Sequence, residues 1–333
     1  MAQGNGAALD VLGIGNAIVD VLSHADEGFL AEHDLPKGAM TLIDAERADR
    51  LYGAMGPGIE ISGGSCANTV VGAASLGSRV AYVGKVRDDQ LGGIFAHDIR
   101  AAGVGFATPA ATDGPGTARC LILVTPDAQR TMCTYLGACV ELGPEDVDED
   151  LVAAAAVTYL EGYLWDPPRA KDAFRVAMDT ARQAGRRVAL TLSDPFCVER
   201  HRDEFRDLVD GPVDVLFANQ DEITALYEAD LDAAVAAVRG RCEVAVVTRS
   251  EHGSLVVTAD GVERVPAAAV ERVVDTTGAG DLFAGGFLHG LTRGLALPEC
   301  ARLGGLAAAE VISHFGARPE ADLADLARRH ALA

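Results

Sequence analysis

The sequence predicts an α/β protein, a doubly wound, mainly parallel sheet flanked by helices, with a small β-sheet lid. Three observations carry this expectation. From about residue 157 onward, short runs of Val, Leu and Ala alternate with helical stretches, the pattern of successive βαβ units. Of the 333 residues, 49% are hydrophobic but only 5% aromatic, and small and β-branched residues in that quantity suit parallel strands buried on both faces. The strand-like segments 16–44 and 105–137 break the alternation, so they are expected to form a second, smaller sheet beside the core, where a lid would sit.

Leu9–Ile14 is an apolar run ending in Gly-x-Gly and reads as a buried opening strand. Segments 64–76 and 88–102 have helical spacing, with strand-like Val80–Val83 between them. Arg119–Val124 and Thr131–Tyr135 flank a Thr-Pro-Asp-Ala-Gln turn, which predicts a hairpin. Strands at Val157–Leu160, Arg187–Leu192, Val213–Ala218 and Val244–Thr248 then alternate with helices over 167–184, 199–209, 220–227 and 231–240. A second hairpin, Ser254–Thr258 with Gly261–Val265, precedes closing helices over 279–293, 298–313 and 320–330. No internal repeat or long polar linker interrupts, so residues 1–333 are expected to form one domain with the lid segments inserted in it.

A net charge of −21 argues against a nucleic-acid binder, which needs clustered Lys and Arg, and against an acidic membrane surface. A phosphate site on such a chain must rely on backbone N–H groups, a helix N-terminus and a bound cation. The seven cysteines are scattered without C-x-x-C spacing and read as reduced thiols. No basic, apolar leader opens the chain and no 18-residue apolar stretch occurs, so a cytoplasmic protein is expected.

The sharpest local signal is Asp275-Thr276-Thr277-Gly278-Ala279-Gly280-Asp281, entered from an apolar run and followed by an apolar, small-residue helix. The Gly-Ala-Gly turn permits close backbone approach, and the helix behind it presents unpaired N–H groups and the positive end of its dipole. That is an anion hole suited to a transferring phosphoryl group, with Asp281 in the first helical turn able to take a proton from an attacking hydroxyl. Gly13-Ile14-Gly15-Asn16-Ala17-Ile18 fails as a dinucleotide fingerprint, because Ile18 stands where a glycine is required, so an oxidoreductase is disfavoured.

The 275–281 stretch resembles the C-terminal signature of the ribokinase (PfkB) family of carbohydrate and nucleoside kinases. Gly63-Gly64-Ser65-Cys66-Ala67-Asn68 resembles that family's second signature, in the family's order. The resemblance implies that Asp281 is the catalytic base and that the amides of Gly278, Ala279 and Gly280 form the anion hole. It implies that Asn16, Asp20, Gly63, Gly64 and Asn68 bind the acceptor. It puts Asp275 and Thr277 near the nucleotide phosphates, with Asp275 a candidate for a monovalent cation such as K⁺. Asn219-Gln220-Asp221-Glu222 resembles the N-x-x-E motif, which implies Mg²⁺ held through water by Glu222 with Asn219 beside it. Thr248-Arg249-Ser250-Glu251-His252-Gly253 resembles the T-x-G-x-x-G nucleotide turn through Thr248 and Gly253, with Ser250 in place of the middle glycine. Gly84-Lys85-Val86-Arg87-Asp88 resembles a G-x-V-G-x-D segment with Arg87 in place of its glycine. Arg130, in the hairpin, is a candidate lid arginine.

Within that family, Thr191–Phe196, Leu136–Cys139 and Glu161-Gly162-Tyr163-Leu164 are similar to the adenosine kinase branch, which makes Tyr163 a candidate base-stacking residue. The resemblance therefore implies an ATP- and Mg²⁺-dependent kinase, monomer or homodimer, that phosphorylates the 5′-hydroxyl of a nucleoside, adenosine first. A sugar kinase acting on ribose, fructose or a related acceptor is the alternative with the same chemistry. A non-catalytic nucleoside or sugar sensor is the alternative of another class, which loss of Asp281 or of the glycine turn would have favoured.

Overall fold

In a computed structural model describing residues 7–127 and 129–332, the chain forms two sheets. The strands are β1 (Leu9–Ile14), β2 (Ile18–His24), β3 (Met40–Leu42), β4 (Gly58–Gly63), β5 (Val80–Val83), β6 (Gly105–Phe106), β7 (Ala118–Val124) and β8 (Arg130–Tyr135). They continue with β9 (Ala155–Glu161), β10 (Arg187–Thr191), β11 (Val215–Asn219), β12 (Val244–Thr248), β13 (Ser254–Thr258) and β14 (Gly261–Val265). The nine-stranded sheet has the order β14-β13-β12-β11-β10-β9-β1-β5-β6 and is parallel except for the edge hairpin β13–β14. Five strands, β3-β8-β7-β2-β4, form the second sheet.

The apolar runs become parallel strands because both faces of the large sheet are covered. Neighbouring side chains of β1 go to opposite layers. Val11 packs with helices Ser65–Ser75 and Ala279–Thr292, and Leu12 with Pro168–Gln183 and Pro195–Asp210. In the first layer Phe287 meets Phe217 edge-on at 5.5 Å and is fully buried; removing such a ring costs about 3–5 kcal/mol. Two expectations shift. Gly105–Phe106 pairs with β5 at the edge of the large sheet, and Gly58–Gly63, outside segments 16–44 and 105–137, supplies an edge of the small one.

The register decides where chemistry can gather. Ile14 lies beside Val83 on one side and Leu160 on the other, so the ends of β1, β5 and β9 are level. From β1 the chain order runs outward through β5 and β6 on one side and through β9 to β12 on the other. The crevice at the carboxyl ends of β1 and β9 is therefore a topological switch point, where open α/β sheets bind ligands. Among the described residues, no helix is long and apolar enough to cross a membrane.

Candidate active site

The switch point holds a buried polar pair. Asn16, just past β1, donates through its backbone N and Nδ2 to Glu161 at the end of β9, at 3.3 and 2.6 Å. Glu161, 1% exposed, also accepts from the Cys66 amide at 2.9 Å. Burial pushes its carboxyl up to about 7 against the pull of these donors.

Two glycines bring the small sheet onto this crevice. Gly64 precedes the Ser65–Ser75 helix at φ +94°, and a Cβ there would lie 2.3 Å from the Asn16 carbonyl oxygen, so no other residue fits. Gly63 pairs with Ile18 across the β2–β4 ladder and passes so close to Asp20 that an added Cβ would fall 2.3 Å from its carboxylate. Burial pushes Asp20 up to about 7, opposed by Arg318 and Arg130 and reinforced by Asp281.

Asp281, in the first turn of the Ala279–Thr292 helix, accepts from Ser65 Oγ at 2.6 Å and from Asn68 Nδ2 at 2.9 Å. These bonds are possible because the two helices nearly touch: a Cβ on Gly285 would sit 2.5 Å from the Thr69 carbonyl oxygen, and one on Gly72 2.5 Å from Leu282. Burial raises the Asp281 carboxyl, while Ser65, Asn68 and the charge of Arg318 oppose the rise. The Asn68 Oδ1 atom is buried without a partner, an acceptor available to a ligand hydroxyl.

Gly278 caps this helix in the left-handed region at φ +78°, with Ala317 packed where its Cβ would be. The Ala279 amide makes a 3.3 Å bond to Thr276 O, whereas those of Gly278 and Gly280 have no hydrogen-bond partner among the described residues. Space beside Gly280 is open. Asp275, almost fully buried, accepts from Thr277 N and Oγ1 at 3.0 and 2.8 Å and from Gly316 N at 3.0 Å. Arg130 crosses from β8 to pair with Asp275 at 2.6 Å and donates to Thr277 Oγ1 at 3.1 Å. The hairpin thus touches the anion-hole turn, and a guanidinium already neutralises the candidate cation ligand Asp275.

Farther along the sheet edge, Asn219 and Glu222 form a capping box at the head of Gln220–Tyr227, closed by bonds of 2.7 to 2.9 Å. Glu222 is buried, which pushes it up to about 7. Among the described residues no three His, Cys, Asp or Glu side chains could cage a metal. The single carboxylate of Glu222, held by Asn219, suits an ion such as Mg²⁺, which keeps several waters and takes phosphate oxygens as ligands. Thr248 ends β12. Ser250 adopts φ +49°, the left-handed conformation that a glycine would take there, so the turn closes with Arg249 N bonded to Gly253 O at 2.7 Å. Gly253, at φ +76°, has no room for a Cβ against Val265 O. Arg87 is structural: its amide donates to Thr117 Oγ1 at 3.0 Å.

Tyr163 packs against the helix layer containing Leu164 and Leu192, and its hydroxyl donates to Ser193 O at 3.3 Å. A largely buried phenol needs such a partner. Three residues gain roles that the sequence did not assign: Ser65 and Glu161, both inside the quoted motifs, and Arg318, one residue beyond Gly316-Ala317. Arg318 donates to Ser62 O, Ser62 Oγ and Ala67 O at 2.6 to 3.1 Å.

Residues 59–323 match the family described as pfkB family carbohydrate kinase. The chain belongs to that family. It is a phosphotransferase acting on an alcohol group, and the family implies use of ATP. The crystal structure of adenosine kinase from Sinorhizobium meliloti is 57% identical, superposes with a TM-score of 0.90, and the match covers 97% of this chain and 100% of that one. A probable sugar kinase from Rhizobium etli CFN 42 is 51% identical with a TM-score of 0.92, over 98% and 100% of the two chains. Adenosine kinase of Saccharomyces cerevisiae is 28% identical over 91% of this chain and 94% of its own length. A 5-dehydro-2-deoxygluconokinase from Geobacillus kaustophilus is 27% identical over 75% and 78%. This pfkB-family kinase thus has the expected α/β architecture with its second small sheet.

Proposed function

We propose that this kinase transfers the γ-phosphate of ATP to the 5′-hydroxyl of a ribonucleoside, adenosine first, with Asp281 as the base. One observation carries the choice of acceptor: beside Asp20 the face of the small sheet bears a contiguous apolar patch, with Thr134 and Arg130 of β8 as its polar members. Strand alternation puts Ile18, Asp20 and Leu22 on one face of β2. In register with them, Cys120 and Ile122 lie on β7 and Met132 on β8. Cys120, Ile122 and Val124 form an apolar cluster onto which Ile18, Leu22 and Met132 pack. A carboxylate for a diol beside an apolar plane suits a molecule that has both, namely a ribose carrying a flat base. A free sugar offers no plane to cover that surface. The adenosine kinases among the relatives support the reading.

Asn16, Asp20 and Asn68 would hold the ribose hydroxyls, with Glu161 fixing the Asn16 amide. Asp281 takes the 5′-hydroxyl proton as that oxygen bonds to the γ-phosphorus, and the bond to the β,γ-bridging oxygen breaks to release ADP. The free amides of the 278–280 turn meet the charge on the phosphoryl oxygens. Glu222 and Asn219 would hold Mg²⁺ through water, where the ion neutralises phosphate charge. Thr248, Gly253 and Thr277 would line the nucleotide, and closure of the small sheet keeps water from the γ-phosphate. Arg130 pairs with Asp275, so that carboxylate already has a positive partner.

A sugar acceptor is the second reading. The buried Asn16–Glu161 pair is a polar floor that a small polyol could use, and a probable sugar kinase is among the similar structures. Phosphate transfer from ATP·Mg²⁺ to a panel of nucleosides and sugars separates the two. Adenosine is expected to exceed every sugar in kcat/KM by roughly tenfold or more, a transition-state difference of about 1.4 kcal/mol. A sugar ahead of all nucleosides overturns the acceptor assignment.

A further inference from the structure

We propose that Arg318 is a positioning residue for phosphoryl transfer: it clamps the entry of the Ser65–Ser75 helix against the 275–281 turn and supplies the positive charge that faces Asp281. The inference rests on Asp281 being the base.

Its geometric part begins with what the guanidinium touches. Nε and Nη2 donate to Ser62 O at 3.1 and 2.6 Å, Nη2 also to Ser62 Oγ at 2.9 Å, and Nη1 to Ala67 O at 2.9 Å. Ser62 is gripped from the other side by Asp98, which accepts from its amide at 2.9 Å and its hydroxyl at 2.6 Å. Ser62 and Ala67 bracket Ser65 and immediately precede Gly63 and Asn68. Ser65 and Asn68 are the two donors to Asp281. Immediately upstream, Gly316 N donates to Asp275 and Ala317 fills the space beside Gly278. Three consecutive residues therefore tie the anion-hole turn to the acceptor floor. Only a planar fork can reach two carbonyls and a hydroxyl in this way, which a lysine cannot copy.

The electrostatic part follows from what surrounds Asp281. Asp20 from β2, Glu161 from β9 and Glu222 from the Gln220–Tyr227 helix all repel its negative charge. Cys66 and Tyr159 face it as buried, neutral groups whose ionisation it opposes. On its own helix the first turn holds no other charge. Arg318 is the cation acting on it, and its contacts are neutral carbonyl and hydroxyl oxygens. Among the described residues no carboxylate lies within ion-pair distance of that guanidinium. Its charge is left to act over a longer range, on Asp20, Asp98 and Asp281.

The test is the pH dependence of kcat/KM with ATP·Mg²⁺ and the best acceptor of the panel, for wild type, Arg318→Gln, Arg318→Lys and Asp281→Asn, with folding checked by circular dichroism. Arg318→Gln removes the charge, so the acidic limb moves up by about one pH unit, a tenfold change in proton affinity. Activity lost at pH 6 is then largely regained at pH 9. Arg318→Lys keeps the charge and breaks the fork, so the limb stays and the acceptor KM rises several-fold. A folded Arg318→Gln enzyme whose activity falls equally at all pH values overturns the proposal. If Arg318→Gln does not fold, Arg318→Lys decides: a displaced limb or a wild-type acceptor KM overturns it. Near-normal turnover in Asp281→Asn instead removes the base assignment, and this inference with it.

Discussion

Two kinds of helix start can be compared in this kinase. Those at Gln90, Pro195, Gln220 and Leu231 are capped by Asp89, Asp194, Asn219 and Asp230, whose side chains accept from amides of the first turn at 2.6 to 2.9 Å. The helices at Ser65 and Ala279 are preceded by Gly64 and Gly278, both at positive φ and neither with a side-chain cap. A cap satisfies the N-terminal amides and lowers the free energy of the helix by about 1 kcal/mol. At the Ala279 helix the Gly278 and Gly280 amides have no partner among the described residues, which keeps donors free for a ligand, whereas at the Ser65 helix Glu161 accepts from the Cys66 amide. The two helices entered from a glycine at positive φ are those that meet at Asp281.

The contrast can be attacked in descending order of effect. Asp281→Asn is expected to lower kcat by roughly 100-fold or more while nucleoside binding, measured calorimetrically, changes little. Gly278→Ser gives the anion-hole helix a side chain of its own, forces a Cβ against Ala317 and moves the free amides; loss of one such donor costs about 100-fold in kcat. An unchanged kcat there would separate the bare helix start from phosphoryl transfer.

Asp20→Asn tests the acceptor side through stability. Its folded value of about 7 lies above its unfolded value near 3.8. Between those values the folded chain holds a proton that the unfolded chain has released. Wild-type stability therefore falls as pH rises through this window, and the loss is complete above about 7. Urea unfolding at pH 5 and pH 8 should show a smaller drop in Asp20→Asn, by up to about 2 kcal/mol. The smallest effects come from the capped class. Asp230→Ala should cost about 1 kcal/mol in urea unfolding and leave kcat alone. Asn219→Ala should cost about the same and also raise the Mg²⁺ concentration needed for half-maximal rate, because Asn219 fixes both Glu222 oxygens.

The central parallel strands of the large sheet were legible in the sequence because they are contiguous, largely apolar runs buried on both faces. Gly58–Gly63 escaped because only its last two residues are buried, which leaves no periodicity to read. Residues 275–281 were legible for the same reason of contiguity: Gly278, Ala279, Gly280 and Asp281 act as neighbours. Glu161 and Arg318 were not, since their roles arise from bonds across 145 and 256 residues of chain.

The missing Cβ atoms of Gly72 and Gly285 have a mechanical consequence. With Thr69 and Leu282 seated against them, the Ser65–Ser75 and Ala279–Thr292 helices have no slack at their crossing and move as one body. Asn68 and Asp281, 2.9 Å apart, sit one on each of these helices. Asp20 and Arg130 stand on the small sheet, while the alignment of the proposed base with Ser65 and Asn68 is built into this rigid pair of helices.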